Sequence, residues 1–173
     1  MRLPQVPGRE HMKSLAVGFA IATFLISTGA NAQSSDAQSI AGTWQLLSWE
    51  QRQKDGSVLR SFGEAPKGVH ELTREGRYFF MAARPDIPKN QSPNRRASTD
   101  EENRRIVDGT LAAFGTYKFD PQTNTLSLVT EASTYPNQVG PGSRKVTKLT
   151  AEELEYTNDS VSGLNVFKFR RVK

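Results

Sequence analysis

The chain has 173 residues, no cysteine and a formal charge of +5. Without cysteine there is no disulfide, thiol chemistry or thiolate metal site, so a protein of this size holds together by burying a core. The basic pairs Arg95-Arg96, Arg104-Arg105, Arg144-Lys145 and Arg170-Arg171 fall in four separate regions, a distribution that reads as solvated surface and not as a nucleic-acid footprint.

Residues 1–32 read as a secretory leader. A basic start precedes the apolar run Leu15 to Ile26, and Ala30-Asn31-Ala32 supplies the small-x-small pattern of a signal peptidase site. The apolar run is shorter than the roughly 20 residues of a membrane span; the alternative is an uncleaved N-terminal anchor. Met12-Lys13 would also make an ordinary leader start. Cleavage would place the protein in a bacterial periplasm or outside the cell, with no stable membrane insertion. Residues 33–173 then carry 20 basic and 17 acidic residues, a formal charge of +3. They keep one histidine, His70, which excludes a multi-histidine metal site.

Residues 33–41 are small and polar, a flexible lead-in to one domain over 42–173. The first strand starts at Gly42 and carries Trp44, Leu46, Leu47 and Trp49 before a turn at Lys54-Asp55-Gly56. With Trp44 inward, period-two alternation turns Leu46, Ser48 and Glu50 inward and leaves Leu47 and Trp49 outside. An outward Trp49 needs a cover. After a loop centred on Phe62 to Pro66 comes a hairpin, residues 68–73 and 78–83, turning at Arg74-Glu75-Gly76-Arg77. Residues 84–98 contain three prolines and read as a long surface loop. Thr99 or Ser98 is an N-cap for a helix over about 100–113, with acidic residues in its first turn and Ile106, Val107, Leu111 and Phe114 near helical spacing. This helix would plug one end of a barrel or cover Trp49. From Gly115 on, short strands alternate with turns, beginning with Asp120-Pro121-Gln122-Thr123-Asn124. The expected fold is all-β, an antiparallel barrel of about eight strands with one helix inserted mid-chain.

The run Gly42-Thr43-Trp44-Gln45-Leu46-Leu47-Ser48-Trp49-Glu50 is followed by Asp55-Gly56, Phe62-Gly63-Glu64-Ala65-Pro66-Lys67-Gly68, Gly76-Arg77 and Arg84-Pro85. Ala113-Phe114-Gly115-Thr116-Tyr117 and Ser133-Thr134-Tyr135-Pro136-Asn137 come later in the same order. On these motifs, which span most of residues 42–173, the chain resembles the bacterial lipocalin-like domain family, small exported barrels mostly of unassigned function. The resemblance implies a barrel fold. It also implies a C-terminal arginine, Arg170 or Arg171, stacked on the first-strand tryptophan. Relatives often carry histidine in the strand before the Ser-x-x-Pro motif; here that neighbourhood is Leu128-Val129-Thr130-Glu131.

An eight-stranded barrel has interior room for one small ligand. The expected ligand-binding residues are Trp44, Leu46, Ser48, Tyr78, Phe80, Tyr117, Phe119 and Tyr156; Leu72, Leu154, Phe167 and Phe169 share their inward parity. The plain alternative is that these side chains fill the barrel as core. His70 and Arg84 are placed inward or at a rim. The strand over 125–135 has two possible parities: Glu131, Ser133 and Tyr135 share one face, Leu126, Leu128 and Ala132 the other. With the first face inward, Glu131 and Ser133 join the site and Arg84 is the expected partner of Glu131. The reading is a non-catalytic protein that binds a small apolar or amphipathic molecule, with no cofactor, no metal and no nucleic acid. The alternatives are an isomerase, cyclase or hydrolase using Glu131, Tyr135 or His70, and an interaction module with a filled barrel.

Overall fold

A computed structural model describes residues 39–173. The leader over 1–32, and the lead-in up to residue 38, lie outside the described residues. Among these there are nine strands and one α-helix: β1 Gly42–Gln53, β2 Val58–Leu59, β3 Lys67–Leu72, β4 Arg77–Ala83, α1 Asp100–Gly109, β5 Thr110–Asp120, β6 Thr125–Ser133, β7 Gly140–Leu149, β8 Glu153–Ser160 and β9 Gly163–Arg171. From β3 to β9 each strand pairs antiparallel with the next; β1 pairs with β3 along its first part and with β9 along most of its length. Eight strands therefore close into a barrel, and β2 is a short addition to the far end of β1. Closure removes the unpaired edges that an open sheet would present.

Alternation sorts the side chains. In β4, Tyr78, Phe80 and Ala82 are buried while Phe79 and Met81 are exposed; in β6, Leu126, Leu128 and Thr130 are buried. That settles the parity of the sixth strand: the leucine face is inside. Beyond Thr130 the β5–β6 register slips, so that Gly115 faces Thr130 while Phe114 faces Ala132, and Glu131 is the extra residue of a bulge. A Cβ on Gly115 would lie 2.0 Å from the Val129 carbonyl oxygen, so this crossing admits no side chain. Glu131 turns outward to an ion pair with Arg77, which holds its carboxyl below the usual range. The expected Arg84–Glu131 pair does not form.

A second bulge corrects the first strand. Leu46 faces Phe169, but Ser48 faces Lys168 and Trp49 faces Phe167, so Leu47 is the additional residue. Parity reverses there. Trp49 points inward, stacked on Phe62 with ring centroids 4.3 Å apart, while Ser48 and Glu50 turn to the outer face, where Glu50 pairs with Arg60 at 2.7 Å. The cover for Trp49 thus comes from the loop after β2, not from the helix.

The helix is also shorter than the sequence suggests. Thr99 and Glu102 form a reciprocal capping box, and α1 ends at Gly109, where a Cβ would meet Ile87 Cδ1 at 2.7 Å. Residues 110–113 pair with β4 instead, so Leu111 and Ala113 enter the barrel wall on a strand and Phe114 faces out. Ladder hydrogen bonds and burial override a modest helical preference here. Val107 on the helix is 72% exposed.

The base of the barrel is closed by Trp44. Its indole is fully buried, its Nε1 donates to the Ile40 carbonyl at 2.9 Å, and the Arg171 guanidinium lies 4.0 Å from its ring centroid. Arg171 also donates to the carbonyls of Ser39, Ala41 and Ala151 at 2.7–2.8 Å, while Arg170 reaches out to Gln45. Gly42, at φ +147°, makes this possible, since a Cβ there would sit 2.3 Å from Arg171 Nη1. Gly42→Ala should therefore destabilise the protein by about 1–3 kcal/mol, through strained backbone and a displaced guanidinium. Urea denaturation measures it, and a change within 0.5 kcal/mol would contradict this account of the base.

Candidate binding cavity

Below the middle of the barrel the interior is solid. Trp44, Leu46, Leu72, Leu126, Leu154 and Phe169 are all 0–2% exposed and fill it. Above them lies a cavity of about 270 Å³, close to the lower end of small-molecule sites. Period two explains its walls. Phe167 and Tyr156 face each other across the β8–β9 pair one inward step beyond Phe169 and Leu154, and Asn165 and Asn158 follow one step further. Trp49, His70, Tyr78, Phe80 and Leu128 supply the remaining aromatic and apolar wall, and the exposed segment Asn137, Gln138 and Val139 its rim.

His70 is 1% exposed and ringed by Tyr78, Phe80, Tyr156 and Phe169 at centroid distances of 5.6–5.9 Å. It is thus deep in the wall and not a rim residue. Its Nδ1 lies 3.1 Å from the Tyr156 hydroxyl, and its Nε2 has no hydrogen-bond partner. Burial, with a smaller contribution from the Arg144 charge, pulls its pKa down to about 3, so the imidazole is neutral at ordinary pH. Burial likewise pushes the Tyr156 phenol up, and it stays protonated. The Tyr78 hydroxyl is satisfied by Thr130 Oγ1 at 2.7 Å, and Trp49 Nε1 donates to Asn165 Oδ1 at 3.2 Å. Asn158 donates from Nδ2 to the Asp159 carbonyl at 3.0 Å, but its Oδ1 is buried without a partner.

Arg144 is the charged residue of the lining; no aspartate or glutamate is part of it. It pairs across the β6–β7 ladder with the fully buried Leu126, which puts it on the inner face of β7. Gly142, one inward step away, has no side chain to fill the space beside it. Arg144 donates to the Ser143 carbonyl at 2.9 Å and forms no ion pair with a carboxylate among the described residues.

Of the residues singled out from sequence, His70, Tyr78, Phe80, Tyr156 and Phe167 line the cavity. Trp44 and Leu46 belong to the solid base. Tyr117 and Phe119 pack against the core away from the cavity, with the Tyr117 hydroxyl donating to the Thr73 carbonyl at 2.6 Å. Ser48 faces outward, for the bulge reason given above. Arg84 lies outside, paired with Asp86 beside α1. Ser133 is outside the lining and its hydroxyl is 3.4 Å from Gln138 Oε1, while Tyr135 is 54% exposed. Glu131, Tyr135, His70 and Arg84 therefore do not converge. Sequence reasoning missed Trp49, Thr130, Arg144, Asn158 and Asn165. A signal existed for the two asparagines, which share the parity of Phe167 and Tyr156.

Among the described residues no three potential metal-binding side chains come together, and no helix is long and apolar enough to cross a membrane. No curated protein matches the chain. Among solved structures, a lipocalin-like protein from Bacteroides uniformis is similar at 16% identity and a TM-score of 0.44, over 76% of this chain and 97% of that one. A de novo designed fluorescence-activating β-barrel is similar at 16% identity and a TM-score of 0.41, over 80% of this chain and 98% of the design. The sequence profile of the lipocalin-like domain matches residues 41–168, from the lead into Gly42 to Lys168 on the last strand. With the closed eight-stranded barrel and its inserted helix, that match places the chain in the family of lipocalin-like domains.

Proposed function

We propose that the protein is an exported carrier that holds one small, mainly apolar molecule inside the barrel and does not transform it. The observation that carries this reading is the aromatic-walled cavity above a solid base. Burying an apolar body against Trp49, Phe80, Tyr156 and Phe167 contributes roughly 25 cal/mol per Å² removed from water. The side chains here that could do acid–base chemistry are poorly placed for it. His70 is held neutral within the wall, Tyr156 keeps its proton, and Glu131 is tied to Arg77 outside. A filled interaction module would have no such cavity.

The test is native mass spectrometry of the chain, expressed in full and isolated gently. The expected result is a protein shortened by residues 1–32 and carrying a small molecule. Phe80→Ala, which removes one cavity wall, should weaken retention about tenfold, equivalent to about 1.4 kcal/mol. Quenching of Trp49 fluorescence provides a second readout. An intact N-terminus would refute removal of residues 1–32 as a leader, and full retention by Phe80→Ala would refute binding inside the barrel.

A further inference from the structure

We propose that the bound molecule is a compact carboxylic acid whose carboxylate is anchored by Arg144, an inference that rests on the binding reading above. The cavity carries one guanidinium and no acidic side chain. Arg144 sits on the inner face of β7, and its partners in the protein are limited to a neighbouring carbonyl at 2.9 Å. Arg144 is half-buried and has no carboxylate partner among the described residues, and an incoming anion supplies one. The guanidinium fork matches a carboxylate in two parallel N–H···O bonds, the strong form of this contact.

The surroundings leave a second polar contact beside that head group. The register that pairs Lys145 with Thr157 sets Arg144 beside Asn158, whose buried Oδ1 is an acceptor without a donor and suits a hydroxyl or N–H on the ligand, not the carboxylate itself. Asn165, paired with Asn158 and 8% exposed, completes this polar corner, its Oδ1 already accepting from Trp49 Nε1. Gly142 leaves room there for a head group. One inward step from this corner along β8 and β9 lie Tyr156 and Phe167, which with Phe80 of the same lining suit an apolar body, and the cavity volume of about 270 Å³ keeps that body small. His70 is neutral and does not compete for the anion.

Two matched pairs of probes test the proposal by isothermal titration calorimetry on the whole protein: 2-naphthoate against 2-naphthamide, and nonanoate against nonanamide. Each pair keeps shape and changes charge. The acids should bind at least tenfold more tightly than the amides. In Arg144→Gln the ratio should fall to about one while amide binding persists, which also shows that the variant is folded. Arg144→Lys should keep part of the preference, as a point charge without the fork. Equal affinity of acid and amide for the unaltered protein would overturn the carboxylate proposal and leave the carrier reading standing. So would a preference that survives in Arg144→Gln. Absence of binding by all four probes would overturn both.

Discussion

Trp44→Ala is expected to destabilise the barrel by about 3–5 kcal/mol, the usual range for removing a buried large aromatic. The indole is fully buried and donates to Ile40, and Arg171 lies on its face while reaching three backbone carbonyls. Removing the ring opens a cavity in the solid part of the core and takes away the surface on which the guanidinium rests. Against a total stability of roughly 5–15 kcal/mol this is a large fraction, and the melting temperature should fall by on the order of 10–20 °C. A double-mutant cycle with Arg171→Ala should show coupling of about 1 kcal/mol, since each variant already breaks the ring–cation contact. Additive effects would mean that Arg171 stabilises the base through its carbonyl bonds alone. A loss below 1 kcal/mol in Trp44→Ala would mean that the base is held by something else.

The base was the most legible part of the molecule. Gly42 and Trp44 at the start of a strand, and a paired arginine at the end of the chain, are local signals, and the family resemblance joins them. The hairpin around Gly76 was equally plain, because turn chemistry and alternation agree there. What stayed hidden depends on bulges. One extra residue at Leu47 reverses every assignment downstream in β1, exchanging Ser48 and Glu50 for Trp49. One at Glu131 lets the buried face of β6 end at Thr130 and turns the carboxylate out to Arg77. A bulge is a property of two paired strands, so neither strand's sequence records it. Leu111 and Ala113 show the other limit: their residues suit a helix, and pairing with β4 decides for a strand. Arg144-Lys145 is, in the sequence, one of four dispersed basic pairs that read as solvated surface. The parity of Arg144 with Val146 points inward, but a basic residue followed by lysine reads as solvated until the ladder places it opposite Leu126.

Acidification should weaken the fold through His70 before any carboxylate contributes. In the unfolded chain this imidazole takes a proton at about pH 6.5; in the barrel it does so only near pH 3, because burial disfavours the cation and Arg144 adds to the effect. Between those values the unfolded state binds more protons than the folded one, so stability falls as pH falls. Each unit is worth about 1.4 kcal/mol. Roughly 2 kcal/mol should be lost between pH 6.5 and 5, and on the order of 5 kcal/mol by pH 3, where the contribution levels off. The arginine-paired carboxylates Glu50, Asp86 and Glu131 are also depressed, but from ordinary values of 4.5, 3.8 and 4.5, so their loss begins lower. The window from pH 6.5 to 5 is therefore diagnostic of His70. Urea denaturation across it should show a steady decline in the natural sequence. His70→Asn keeps a polar group at the Nδ1 position, near the Tyr156 hydroxyl, and removes the titration. Whatever its stability at pH 7, its slope from pH 6.5 to 5 should be flat. Equal slopes in the two proteins would show that the imidazole is solvated in the folded state, and with that the dry wall beside Arg144, on which preferential binding of an acid depends, would no longer hold.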